Sequence, residues 1–227
     1  MSSAFTTGLR VLRAERSRFL DPVRIRRRTV LSGTVAGAVG AFLVVADRLW
    51  GLFAGPWPLH ALAVVCLAAA LGCFVATFVP VGRSTAAPSA APIGDWRRGE
   101  RIARQFAARP PDVLRADRDL VIDRAERSIG PAVITASRFV WLPVTWIVAW
   151  VGLVASGLAD TDRLTLLLIP PVFAVLQSAT FLAAVTGAGR ADAARRRALA
   201  VPPAPAVPPS DGRQRDPRGS KVELPEG

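Results

Sequence analysis

Histidine occurs once in the 227 residues, at His60, cysteine twice, at Cys66 and Cys73, and lysine once, at Lys221. A lone histidine with no second ligand-bearing residue beside it supports neither a metal centre nor a histidine-led hydrolytic triad. The two cysteines are seven residues apart in one apolar run, about 10 Å along a helix axis, too far to bridge each other. P-loop, Gly-x-Gly-x-x-Gly and His-Glu-x-x-His patterns are all missing. Asp, Glu, Lys and Arg are absent from four long stretches, 29–46, 59–79, 139–159 and 164–187. Coupled proton or ion transport usually leaves an ionisable group inside a span to take up and release the coupling charge, and the four interiors lack one, His60 lying at the outer end of its run. No catalytic residue, cofactor or metal site is expected.

What is present is a segregated chain. Hydrophobic residues make up 51% of it, yet it carries 29 lysines and arginines, so the two populations must occupy different regions. Each charge-free run is near the ~20 residues a helix needs to cross a membrane. The runs are continuous rather than alternating, which favours helices over barrel strands. Basic residues number eight before Thr29, eleven in 80–138 and eight after Gly187, against only Arg48 and Arg163 in the two short connections. By the positive-inside rule the amino terminus, the central segment and the tail are cytoplasmic, with 47–58 and 160–163 outside. The net charge of +12 would also suit nucleic acid, but the central segment interleaves its arginines with seven acids, so topology is preferred and no nucleic-acid partner is expected.

The expected fold is therefore all-α: an integral membrane protein with four transmembrane helices as two in-out-in hairpins. Its parts are a basic cytoplasmic arm (1–28), hairpin one (29–79), a helical cytoplasmic insert (80–138), hairpin two (139–187) and a basic, proline-rich disordered tail (188–227). A cleaved secretory signal at Val44-Val45-Ala46 competes with this reading, but the long basic arm and three later spans favour an uncleaved anchor. Arginine in place of lysine and abundant alanine suggest a GC-rich bacterial genome, hence the bacterial inner membrane.

Several residues stand out along the chain. Residues 8–20 form a short helix studded with Arg10, Arg13, Arg16 and Arg18, which lies on the anionic lipids of the inner leaflet or frays as a cytosolic arm. Asp21-Pro22 reads as the N-cap and first turn of the next helix. Gly33 and Gly37 form a GxxxG pair, and Ser32, Ala36 and Gly40 a second small-residue row; Gly33, Gly37 and Gly40 are candidates for packing against a neighbouring span or another subunit. Trp50 and Trp57 suit an outer aromatic belt and Trp141 an inner one. Pro170-Pro171 should kink the fourth span or leave its outer part irregular. Gln177 is the candidate for an interhelical hydrogen bond, or for a polar pore site beside Pro170 and Pro171. The turns Ala46-Asp47-Arg48-Leu49 and Thr161-Asp162-Arg163-Leu164 echo each other, as two copies of one hairpin would.

In the insert, 84–94 is a Ser/Ala/Pro linker and 95–109 an amphipathic helix stopped by Pro110-Pro111. A second helix, capped by Asp112, runs to Ser128 and is ended by Gly130-Pro131. Two such helices cannot bury a full core alone, so Trp96, Ile102, Phe106, Leu114 and Val121 form a candidate surface for a partner, each other or the membrane. The expected function is a non-enzymatic scaffold or accessory subunit, binding lipid and a homo-oligomeric or protein partner. On that view, deleting 95–129 spares insertion and abolishes the cytosolic interaction. The alternative is a passive pore or transporter component, with Gln177, Pro170, Pro171 and Trp146 shaping a path.

Overall fold

A computed structural model describes residues 3–53, 55–83, 96–157 and 164–203. They form seven helices: α1 (Ala4–Phe19), α2 (Pro22–Trp50), α3 (Trp57–Phe78), α4 (Trp96–Arg104), α5 (Arg118–Phe139), α6 (Trp141–Ala155) and α7 (Leu164–Ala200), with a 3-10 turn at Arg115–Asp117. Among the described residues there is no strand, only an isolated antiparallel bridge between Leu20 and Gly82. The linker, the second hairpin turn at 158–163 and most of the tail lie outside the described residues.

Local chemistry sets the ends of the first two helices. The Ser3 hydroxyl accepts from Thr6 N–H at 3.2 Å, capping α1. Asp21 accepts from Val23 N–H at 2.9 Å and Pro22 occupies the first turn, so α2 begins where the sequence places it. Helix α2 outruns the apolar stretch 29–46 and closes on Gly51, whose left-handed φ of 62° lets its N–H donate to Asp47 O at 2.8 Å.

Four helices are long and apolar enough to cross a membrane: α2, α3, the near-continuous α5–α6 pair and α7. They pack in the order α2, α3, α6, α7. Ser32 and Ala36 of α2 face Gly72 of α3, Gly152 of α6 lies against Cys66 and Leu67 of α3, and Trp146 of α6 meets Phe173 of α7. At one edge of this row, only 6% of the apolar window of α2 is buried, against 33% for α3. Val30, Phe42, Val45 and Leu49 are all exposed. An apolar surface of that extent is the kind that contacts lipid or a second polypeptide.

One expected break does not occur. Helix α5 runs unbroken through Gly130-Pro131, and only Val140 separates it from α6. Proline in a helix interior costs about 3 kcal/mol, and here packing on both sides of it outweighs that: Ile129 and Val133 are buried against α7, and Gly130 leaves room for the Phe19 ring. The last helix of the insert thus leads into the first helix of hairpin two with only Val140 between them. Helix α7 is regular over 37 residues through Pro170 and Pro171, so of the two outcomes expected there the irregular outer part does not occur, although neither proline supplies a donor to the preceding turn.

Candidate functional site

At the arginine-rich end, α7 presents Ala188, Ala191, Ala194 and Ala198, all at most 1% exposed. Alanines at this spacing share one face and let the facing helix approach closely. Ala125, Ile129 and Val133 of α5 fill that space together with Val11, Leu20 and Val81. Val121 of α5 and Ile102 of α4 complete it around Ala194 and Ala198.

Backbone pairing locks the first two helices to the end of α3: Asp21 N–H donates to Val81 O at 3.0 Å and Arg83 N–H to Phe19 O at 2.9 Å. Three arginines then donate to main-chain carbonyls in the last turn of a helix or just beyond it. Arg24 donates to Gly82 O at 2.8 Å, Arg28 to Ser137 O at 3.1 Å and Arg138 to Thr77 O at 3.0 Å.

The short helix α4 is held by a buried acid. Asp117 accepts from Arg98 Nε at 2.8 Å and from Arg101 Nε at 3.1 Å. Arg197 donates to Gln105 O at 2.7 Å, Arg118 to Val201 O at 2.9 Å, and Arg195 pairs with Glu126 at 3.2 Å. The insert is therefore stitched onto the end of α7.

This geometry divides the expected partner surface. Ile102 and Val121 lie in the chain's own interior, 1% and 0% exposed, and Phe106 packs partly buried beside them, because α7 continues past the lipid-length run and covers their face. Trp96 and Leu114 remain exposed, at 72% and 51%. The small-residue rows also divide. Ser32 and Ala36 meet α3, and a side chain added at Gly40 would make ordinary contact with Ala68, whereas Gly33 and Gly37 face open space.

Gln177 Oε1 accepts from Trp146 Nε1–H at 2.8 Å, joining α7 to α6, and the Trp146 ring stacks on Phe173 with centroids 5.0 Å apart. In a double-mutant cycle of Gln177→Leu and Trp146→Phe, thermal unfolding in detergent should show a coupling of about 1 kcal/mol. Strict additivity would remove the bond's energetic role.

One pair was not foreseen. His60 Nδ1 lies 3.4 Å from Asp47 Oδ2, while Asp47 Oδ1 accepts from Phe53 N–H at 3.0 Å. His60 Nε2 is buried without a hydrogen-bond partner, beside a cleft of about 540 Å³ that both residues line. The signal was available: Asp47 and His60 are equidistant from the middle of the connection between α2 and α3, so an antiparallel hairpin brings them face to face. Among the described residues no three His, Cys, Asp or Glu side chains gather as a metal site would require. Asp47 can fix the orientation of the imidazole; no neighbouring nucleophile completes a triad in the described part of this cleft.

The architecture is that of an all-helical protein with four candidate membrane spans and an arginine-rich helical cap. Comparison with protein-family models, curated proteins and solved structures found no match.

Proposed function

We propose that this is a non-enzymatic multi-pass protein of a bacterial cell membrane, a scaffold or accessory subunit whose arginine-rich cap lies in the cytoplasm with both chain ends. The observation that carries this reading is α2: with 6% of its apolar window covered by the rest of the chain, it needs lipid or a second polypeptide around it. The clustering of arginines at one end of the spans supports the orientation through the positive-inside rule. Engagement of Gln177 by Trp146 favours a packing role for that amide over a pore-lining one.

Topology is tested with single cysteines in a Cys66→Ala, Cys73→Ala background. Leu52→Cys should react with an impermeant maleimide on intact cells, and Ser17→Cys only after lysis. The reverse pattern, or release of the protein by alkaline carbonate, would overturn the reading.

For the scaffold role, deletion of 95–129 is too blunt, because Val121, Ala125 and Ile129 belong to the core. Trp96→Glu with Leu114→Glu changes only exposed positions. The pair should leave detergent stability within about 0.5 kcal/mol of the parent and remove proteins that co-purify stoichiometrically. An unchanged set of co-purifying proteins would exclude this surface as the contact.

A further inference from the structure

Between α1, the start of α2 and the α5–α6 junction lies an open cleft of about 320 Å³. Its polar wall is Arg13, Arg16 and Arg28; its apolar wall includes Leu12, Trp141 and Phe181. A second cleft of about 420 Å³ adjoins it, sharing Arg13, Arg16 and Leu20 and adding Arg83. The acids nearest in sequence are engaged elsewhere: Glu15 pairs with Arg18 at 3.5 Å and Asp21 with Arg24 at 3.6 Å. Among the described residues no carboxylate pairs with Arg13, Arg16, Arg28 or Arg83. Arg28 is positioned by its bond to Ser137 O and by the Trp141 ring, 5.6 Å from its guanidinium, and a guanidinium has five N–H donors, so others stay open.

Like charges converging on a low-dielectric wall without a counter-charge create a field that an anion relieves. The apolar wall continues onto α6 and α7, two of the four candidate spans, so the anion that fits carries a hydrocarbon chain. We propose that this cleft binds an anionic phospholipid, its phosphate held by Arg13, Arg16 and Arg28 and an acyl chain lying along Trp141 and Phe181. This rests on the membrane reading given above.

The test uses the full chain reconstituted in phosphatidylcholine vesicles containing a minor fraction of phosphatidylglycerol with brominated acyl chains, which quench tryptophan on contact. The Trp141 signal is the difference between the parent and Trp141→Phe. It should be quenched by brominated phosphatidylglycerol in clear preference to brominated phosphatidylcholine at equal fraction. Arg13 and Arg16 are exposed, so R13Q/R16Q should fold normally and lower that preference by roughly thirtyfold, the effect of two arginines at an anionic surface. R26Q/R27Q removes the same charge from exposed positions outside the cleft and should retain the preference. Equal quenching by both lipids, an equal loss in both double variants, or abolition of the preference by added inorganic phosphate would overturn the proposal, the last by assigning the site to a soluble anion. Flotation with pure phosphatidylcholine vesicles separates the two readings: a protein that floats but shows no preference refutes the lipid site alone, and one that fails to float refutes membrane insertion.

Discussion

Gly8→Ala is expected to detach α1 from the rest of the molecule. A Cβ at Gly8 would fall 1.9 Å from Val185 O and 2.8 Å from the carbon behind it. On the other side of the same crossing, a Cβ at Gly189 would fall 1.9 Å from Ala4 O and 2.8 Å from Gly8 N. These neighbours are backbone atoms within helices, so no rotamer change relieves the clash. Either α1 lifts off α7 or both helices distort, at a cost of about 3 kcal/mol, the upper end for overpacking. Lifting α1 also uncovers Val11 and Leu20 in the core below. Gly33→Ala is the matched control: it has open space around its position, and alanine exceeds glycine in helix propensity by about 1 kcal/mol, so it should be neutral or stabilising. Thermal unfolding in detergent, with tryptic cleavage at Arg10 and Arg13 as a local readout, distinguishes the two. If Gly8→Ala melts and resists trypsin as Gly33→Ala does, the tight crossing is wrong.

That pair of glycines shows where the sequence is readable and where it is not. A run of about 20 residues without charge has few alternatives to a membrane-length helix, so the four candidate spans are visible directly, and Asp21-Pro22 announces a helix start through its own local chemistry. A glycine inside a helix signals only that some neighbour comes close; it does not name the neighbour. GxxxG at Gly33 and Gly37 has the stronger pattern and no neighbour within 4 Å among the described residues, while Gly8, outside any motif, sits where a Cβ would fall on the backbone of α7. Gly130-Pro131 misleads for a related reason. The local cost of proline is known, but the packing of Ile129 and Val133 that offsets it depends on a helix more than fifty residues away. Amphipathicity likewise identifies Ile102 and Val121 as residues needing cover without telling that the alanine face of α7 supplies it. The Asp47–His60 pair was legible in principle, because hairpin symmetry alone brings the two together.

Asp117→Asn should free α4 while leaving α2, α3, α6 and α7 in place. The Asp117 side chain is 6% exposed and is the acceptor for both Arg98 and Arg101. Asparagine keeps its shape but removes the charge and turns an NH2 group toward one of the guanidiniums. Breaking a fully buried ion pair costs 3–5 kcal/mol. Here the arginine side chains are 38% and 47% exposed and rehydrate when released, so the expected loss is about 2 kcal/mol. Glu100→Gln provides the scale: its pair with Arg104 is an exposed i,i+4 contact, at 50% and 67%, whose loss should cost no more than about 0.5 kcal/mol. The readout is amide exchange across α4, since Ile102 stays over Val121, Ala194 and Ala198 only while α4 is docked. Exchange should rise sharply over 96–104 in Asp117→Asn, with the interior of α3 unaffected. Equal exchange in the two variants would show that apolar contact alone holds α4, and that the buried carboxylate does not decide its position.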